Sequence, residues 1–311
     1  AFKIASVCEF KYNFSDDNGV SVDVKSKTAF KQYCDEEGID YNSFVCKNVQ
    51  VPEPVSFALK TVKDSLKNVL DFTGCNKYEV YVGGSDNFRL NIPAPIEYKS
   101  SRKDMVRPIH LTAVKNYGLK YLNGVKVKGV EADDVVQHRM RTLHQQGIKC
   151  VLYTNDKDAR QGVDYSTMIY NPDKGDIDRV EGKVGDLQVV GNAVKGSGLK
   201  WLILQLLLGD PIDSYSPKQF FSKRYADKSF YKDFNDCKTE VDVLEKFIEV
   251  SKQLVPSVIE YTSFKGEEVK KTRKELFEMY YLFPKMKDGW CETLEELFSF
   301  YNLDVEEIDV E

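Results

Sequence analysis

Histidine and tryptophan are scarce in this chain, at three and two residues of 311, and no two cysteines have CxxC spacing. His110, His138 and His144 do not fall at metal-ligand spacing, so neither a zinc site nor a histidine-centred catalytic triad has support. The seven cysteines (Cys8, Cys34, Cys46, Cys75, Cys150, Cys237, Cys291) are odd in number and scattered. That usage reads as reduced thiols in a reducing compartment. No apolar run approaches the roughly 20 residues needed to cross a bilayer; the longest, 199–208, is interrupted by Lys200 and Gln205. No basic segment followed by an apolar stretch opens the chain, so a cytoplasmic location is the expectation. A GxxxxGK[ST] loop is absent, which argues against P-loop ATP hydrolysis. Repeats and low-complexity tracts are missing too.

What is there is ordinary in amount and uneven in distribution. With 42% hydrophobic and 30% charged residues, the chain can bury a full core, as one large domain or a core plus a lobe. The net charge is −5, yet Lys99, Arg102, Lys103, Arg107, Lys115, Lys120, Lys126 and Lys128 face a single acid, Asp104, within 99–128. A second basic run holds Lys218, Lys223, Arg224, Lys228 and Lys232, while acids concentrate in 292–311. Such runs are often solvated faces, but both border acidic clusters here, the pattern of a phosphate-contacting surface.

The pattern of apolar residues predicts a short helix over 1–10 and a β-hairpin with 11–14 and 20–24 around the turn Asp16-Asp17-Asn18-Gly19. Pro52 and Pro54 precede a helix over 55–70, and 77–82 reads as a strand. A proline-punctuated basic stretch to about 118 fits no regular packed element. Beyond it come a strand over 125–130, a helix over 132–146, strands over 149–154 and 167–170, and an apolar helix over 199–208. From 211 on the chain reads as amphipathic helix. Strands alternating with helices predict an α/β fold with a mainly parallel central sheet flanked by helices, where chemistry collects at strand carboxyl ends.

Seven carboxylates lie where such segments end: Glu131, Asp133 and Asp134; Asp156 and Asp158; Asp210 and Asp213. Gathered acids repel and lose hydration, so converging clusters need a neutralising partner. A hard divalent cation such as Mg²⁺, held by a few carboxylates, water and substrate phosphate, is the natural one. The plainer readings are helix capping for one or two of the first group, a solvated turn for the second, and a helix stop for the third. Tyr98-Lys99-Ser100-Ser101-Arg102-Lys103 joins an aromatic to cations, a combination suited to unpaired bases and phosphates, or simply an exposed basic loop.

Three blocks together resemble the bacteriophage 5′-to-3′ exonucleases of the flap endonuclease (PIN-like) family: Gly129-Val130-Glu131-Ala132-Asp133-Asp134-Val135, Thr154-Asn155-Asp156-Lys157-Asp158, and Gly196-Ser197-Gly198 running on to Gly209-Asp210-Pro211-Ile212-Asp213. Asn87-Phe88-Arg89 and Tyr98 to Arg102 resemble the family's entry to its helical arch. The resemblance implies a PIN-like nuclease core over 1–208, with a basic arch at about 87–120, and a C-terminal helical DNA-binding lobe over 209–311. It implies Glu131, Asp133, Asp134, Asp156 and Asp158 as metal ligands, with Asp210 and Asp213 at a second metal position. Asp133, Asp156, Asp158, Arg89 and Lys99 would carry catalysis, using two Mg²⁺ ions for which Mn²⁺ substitutes. Arg89, Tyr98, Lys99, Arg102, Lys103, Lys223, Arg224 and Lys228 would contact nucleic acid. The implied activity is 5′-to-3′ exonuclease or flap endonuclease action on DNA or RNA–DNA hybrids in replication or repair, by a monomer that leaves 5′-phosphates. A replication protein is an implied partner, and a phage-encoded chain would work in the cytoplasm of an infected bacterium.

The chain departs from the family pattern at three points. The opening strand with its aspartate is missing, as a truncated sequence beginning inside the first helix would read. Asp86, the nearest match to the next aspartate, is offset by a few positions. Ser214-Tyr215-Ser216-Pro217-Lys218 stands where the family has a glycine-rich helix–hairpin–helix turn. A catalytically impaired nucleic-acid-binding relative is the alternative reading, and a Toprim-like domain a more distant one.

Overall fold

The computed structural model describes residues 9–103, 106–161 and 164–310. Within them the chain divides into two compact units, 1–80 with 105–124 and 81–104 with 125–311. The helix expected over 1–10 lies outside the described residues up to residue 8, and Glu9 and Phe10 already belong to a strand.

In the first unit, β1 (Glu9–Ser15) and β2 (Ser21–Val24) form the expected hairpin, with Ser15 opposite Ser21. The Asp16 carboxylate closes the turn by accepting the Val20 amide at 2.8 Å and the Asn18 amide at 3.1 Å. α1 (Lys27–Glu37), capped by Ser26, lays Phe30 and Cys34 on Phe14. A third strand that the sequence reading missed, β3 (Val45–Val51), pairs antiparallel along the other edge of β1. α2 (Val55–Thr73) packs Ala58 and Val62 against Val114 and Leu122 around α3 (Leu111–Tyr121). That last helix corrects the expectation of an irregular stretch to 118. Its buried positions Val114 and Gly118 keep helical spacing, but the lysines between and beside them obscure it.

In the second unit, β4 (Tyr81–Val82) and β5 (Val125–Lys126) pair in parallel, as do β6 (Val151–Tyr153) and β7 (Thr167–Asn171). β8 (Asp176–Val180) then returns antiparallel to β7, and β9 (Leu187–Val190) with β10 (Ala193–Gly196) forms another hairpin. The fold is α/β, but a mainly parallel central sheet is not present among the described residues. Parallel neighbours need a long crossover, and tight turns at Gly175 (φ 70°) and Gly191 (φ 64°) allow only antiparallel return.

α4 (Ala132–Gln145) follows β5. α5 (Gly198–Leu208) is buried at every position, which is why its sequence shows no polar face. Its first free amides are taken by backbone: Leu199 donates to the Lys183 carbonyl (2.8 Å) and Lys200 to that of Val184 (3.1 Å). Gly198 has φ 63°, and a Cβ there would lie 2.4 Å from the Lys183 oxygen, so only glycine fits.

The chain ends in α6 (Asp227–Phe234), α7 (Glu240–Leu254), the hairpin β11 (Val258–Thr262) and β12 (Glu268–Thr272), α8 (Arg273–Tyr281) and α9 (Leu294–Phe300). The hairpin corrects an all-helical reading of this stretch; Val258, Ile259, Glu260 and Tyr261 alternate in burial as a strand requires. Thr239, Thr272 and Thr293 each open a helix with a capping box. Leu202 and Leu206 of α5 share one core with Phe247, Phe277 and Phe298, so residues before and after 208 pack together. No helix among the described residues is long and apolar enough to cross a membrane, and their cysteines are free thiols.

Candidate active site

The acidic segments converge within the second unit. Glu131 caps the N-terminus of α4, and Asp133 stands one residue into the helix. Desolvation by surrounding protein, then the charges of Asp156 and Glu131, push the Asp133 carboxyl up to about 6. Asp156 and Asp158 follow β6, where the Asp158 amide donates to Asp156 Oδ1 at 3.0 Å. Desolvation, then Asp156, with Asp210 also contributing, pushes Asp158 up to about 7. Asp210 and Asp213 lie just past α5, where Gly209 ends the helix. Burial raises the Asp213 carboxyl, with Asp210 adding to it, against Lys99 and Arg102.

Cations interleave with these acids. Lys99 pairs with Glu131, Arg102 with Asp213, and Lys157 Nζ lies 2.7 Å from Asp210 Oδ2. Burial opposes charge on Lys157, yet the bond to Asp210 keeps its pKa above the ordinary lysine value. Lys99 itself has φ 58°, an uncommon backbone for a non-glycine residue, held by its amide donating to the Asp213 carbonyl at 2.8 Å. The segments 98–102 and 131–134 are thereby tied to 210–213.

Three sequence expectations change here. Arg89 is 1% exposed, and its one approach to a partly exposed group is Nη1 at 3.8 Å from Glu131 Oε2. Its Nη1 and Nη2 fork onto Asp134 at 2.8 and 2.9 Å, Nε donates to the carbonyls of Leu282 and Phe283, and Nη2 also reaches that of Lys285. A guanidinium so enclosed is a structural staple and not a phosphate contact. Asp134, equally buried, spends its remaining lone pairs on the amides of Glu131 (2.9 Å) and Lys287 (3.0 Å). Burial works against its charge, but Arg89 and these donors hold its pKa below the usual carboxylate range. Asp134 therefore leaves the set of metal ligands and takes the capping role.

Tyr98 is 4% exposed, packs on Phe283 and donates its hydroxyl between Glu131 Oε2 (3.2 Å) and Asp213 Oδ2 (3.0 Å). It braces carboxylates and offers no face to a base. Asp86 accepts the Gly129 amide at 2.8 Å, tying two segments 43 residues apart in sequence. Lys103 pairs with Glu97 at the surface, while Lys223, Arg224 and Lys228 are exposed.

Three residues near the acids went unnoticed in the sequence. Lys157 lies between two expected ligands, and Gln161 and Gln205 form an amide chain to Asp158. The signal for Gln205 was its isolation within an apolar helix.

With Asp134 withdrawn, the cations paired with Glu131, Asp133, Asp156, Asp158, Asp210 and Asp213 among the described residues are Lys99, Arg102 and Lys157, with Arg89 at 3.8 Å from Glu131. The donors are all hard oxygens with excess negative charge, and Asp133 and Asp158 are destabilised as anions by burial and then by neighbouring carboxylates. That chemistry fits a hard divalent cation. No three acids close around one point among the described residues, so the fit is to an ion bound through one or two carboxylates plus water, as Mg²⁺ commonly is.

No protein family matches the chain. No curated protein matches it either. The chain is similar to solved structures of phage T5 proteins. One is the D15 protein co-crystallised with metal ions, 15% identical at a TM-score of 0.46, covering 82% of this chain and 93% of that one. Another is the T5 5′-exonuclease with bound zinc, 15% identical at 0.46, covering 81% and 91%. A third is the T5 D15 flap endonuclease as a pseudo-enzyme–product complex with DNA and metal ions, 12% identical at 0.42, covering 82% and 88%.

Proposed function

We propose that this protein is a divalent-metal-dependent nuclease, a 5′-to-3′ exonuclease or flap endonuclease hydrolysing phosphodiester bonds of DNA or RNA–DNA hybrids. The observation that carries it is the meeting of six carboxylates from three distant segments with Lys99 and Arg102 interleaved among them. In this reading Glu131, Asp133, Asp156 and Asp158 are the carboxylates from which one Mg²⁺ or Mn²⁺ would take one or two direct ligands, with water completing its shell, and Asp210 and Asp213 would serve a second. Bound ions of this kind supply water activation and charge stabilisation at the leaving oxygen. The chain's own cations then orient the substrate: Lys99 and Arg102, whose side chains are 24% and 43% exposed, turn from carboxylates to phosphate. Tyr98 keeps Glu131 and Asp213 at a constant separation while they do so. Lys103, Lys223, Arg224 and Lys228 contact the nucleic-acid backbone through charge alone. The protein works as a monomer alongside replication or repair proteins.

A labelled 5′-flap duplex, incubated with Mg²⁺, Mn²⁺ or EDTA, tests this. Cleavage with either metal and none with EDTA is expected, and Asp156→Asn should abolish cleavage while leaving duplex binding within a few-fold. Cleavage that persists in EDTA, or equal loss of binding and cleavage in Asp156→Asn, counts against the assignment. The alternative, a nucleic-acid-binding protein without hydrolysis, is favoured by the direct pairing of Lys99 and Lys157 with Glu131 and Asp210. Flap binding without turnover under every metal would establish it.

A further inference from the structure

A polar chain runs through the most apolar part of the second unit. All eleven residues of α5 are buried, and just two of them end in an amine or amide. One of these, Lys200, reaches the Asn235 carbonyl at 2.8 Å. The other, Gln205, is 1% exposed. Its Nε2 donates to Asp158 Oδ1 at 2.5 Å. Its Oε1 accepts from Gln161 Nε2 at 2.7 Å. Gln161, 5% exposed, also gives Nε2 to the Pro284 carbonyl at 2.7 Å.

The direction of every bond in this chain follows from its far end. A carbonyl oxygen can only accept, so Gln161 must turn its NH₂ toward Pro284. That same NH₂ faces Gln205, which must answer with its oxygen. The NH₂ of Gln205 is then left pointing at Asp158 and cannot flip without breaking two buried bonds, each costly to leave unmade. Leucine would fill the space in α5 without any desolvation cost. Glutamate would set a second carboxylate against Asp158, and asparagine, one methylene shorter, would fail to span both partners. Glutamine alone satisfies the geometry.

We propose that Gln205, oriented by Gln161 from the Pro284 carbonyl, is a positioning residue that fixes the Asp158 carboxylate for divalent-cation binding. This rests on the nuclease reading above for its purpose, though not for its measurement. The loop 282–285 gains a role with it. Its carbonyls at Leu282, Phe283 and Lys285 hold Arg89, and hence Asp134 at the start of α4, while that of Pro284 holds Asp158 through the two glutamines. One short loop late in the sequence thus orients carboxylates on both sides of the site.

The test uses the full chain and Mn²⁺ alone, titrated calorimetrically, with flap cleavage measured in parallel against metal concentration. Gln205→Leu should weaken Mn²⁺ binding about 10- to 100-fold, raise the metal needed for half-maximal cleavage by a similar factor, and lower the thermal midpoint through the bonds lost at Asp158 and Gln161. Gln161→Leu should act in the same direction by less. The double variant should be no worse than Gln205→Leu, because both act through one chain. Should Gln205→Leu fail to fold, Gln161→Leu carries the test unaided. Mn²⁺ affinity equal to wild type in the folded variants overturns the proposal whatever their stability. Gln205-dependent Mn²⁺ binding with no cleavage by the wild type sinks the nuclease reading and leaves the positioning role standing; cleavage with variants that bind and cut like wild type does the reverse.

Discussion

Replacing Arg89 by methionine separates two roles that the sequence cannot tell apart. As a phosphate contact, the guanidinium would be dispensable for folding and needed for binding. In its buried setting the opposite holds. Methionine would leave Asp134, 1% exposed, as an uncompensated buried carboxylate and free three backbone carbonyls, at Leu282, Phe283 and Lys285. Breaking one side of such a pair costs about 3–5 kcal/mol. Asp134→Asn should cost somewhat less, since an amide keeps some hydrogen bonds to the guanidinium. Combining Arg89→Met with Asp134→Asn removes both charges together, so the loss should fall about 2–3 kcal/mol short of the sum of the single changes. Urea unfolding followed by tryptophan fluorescence measures all three variants. Lys103→Ala, at an exposed pair with Glu97, is the control and should change stability by less than about 1 kcal/mol. If Arg89→Met unfolds at the wild-type urea midpoint yet loses nucleic-acid affinity, the staple is wrong and the phosphate contact right.

The raised pKa values of Asp133 (about 6) and Asp158 (about 7) make metal-free stability depend on pH. Both stabilise the fold below their unfolded values near 4, and that contribution disappears as pH rises through 6 and 7. The thermal midpoint in EDTA should therefore drop between pH 5 and pH 8; Mg²⁺ should restore it at pH 8 and not at pH 5, and Asp158→Asn should flatten the profile. A metal-free midpoint that rises over this range refutes the carboxylate crowding. Gly198→Ala, forced to φ 63° against the Lys183 oxygen, should destabilise by about 1–3 kcal/mol, read as a lowered thermal midpoint. Charge reversal at Lys223, Arg224 and Lys228 should weaken duplex binding and shallow its salt dependence, with metal affinity unchanged; an unaltered salt slope removes them from the interface.

Local order was legible in the chain wherever neighbours in sequence are also neighbours in space. The Asp16 turn, the continuous apolar run of α5 and the acids at segment ends are properties of short stretches, and each could be read without coordinates. The hairpin β11–β12 shows the limit even there, because its alternating residues lie amid helices and gave way to a helical reading. Which acid faces the site was a tertiary decision. Consecutive helical residues point about 100° apart, so Asp133 and Asp134 cannot both face the site. The choice was made by Arg89, 45 residues upstream, itself held by carbonyls 193 and 194 residues further on. Tyr98, Gln161 and Gln205 took their roles the same way, from partners that only the folded chain brings near. Composition and spacing determined that carboxylates would gather; burial and long-range hydrogen bonding decided which of them remain free to bind.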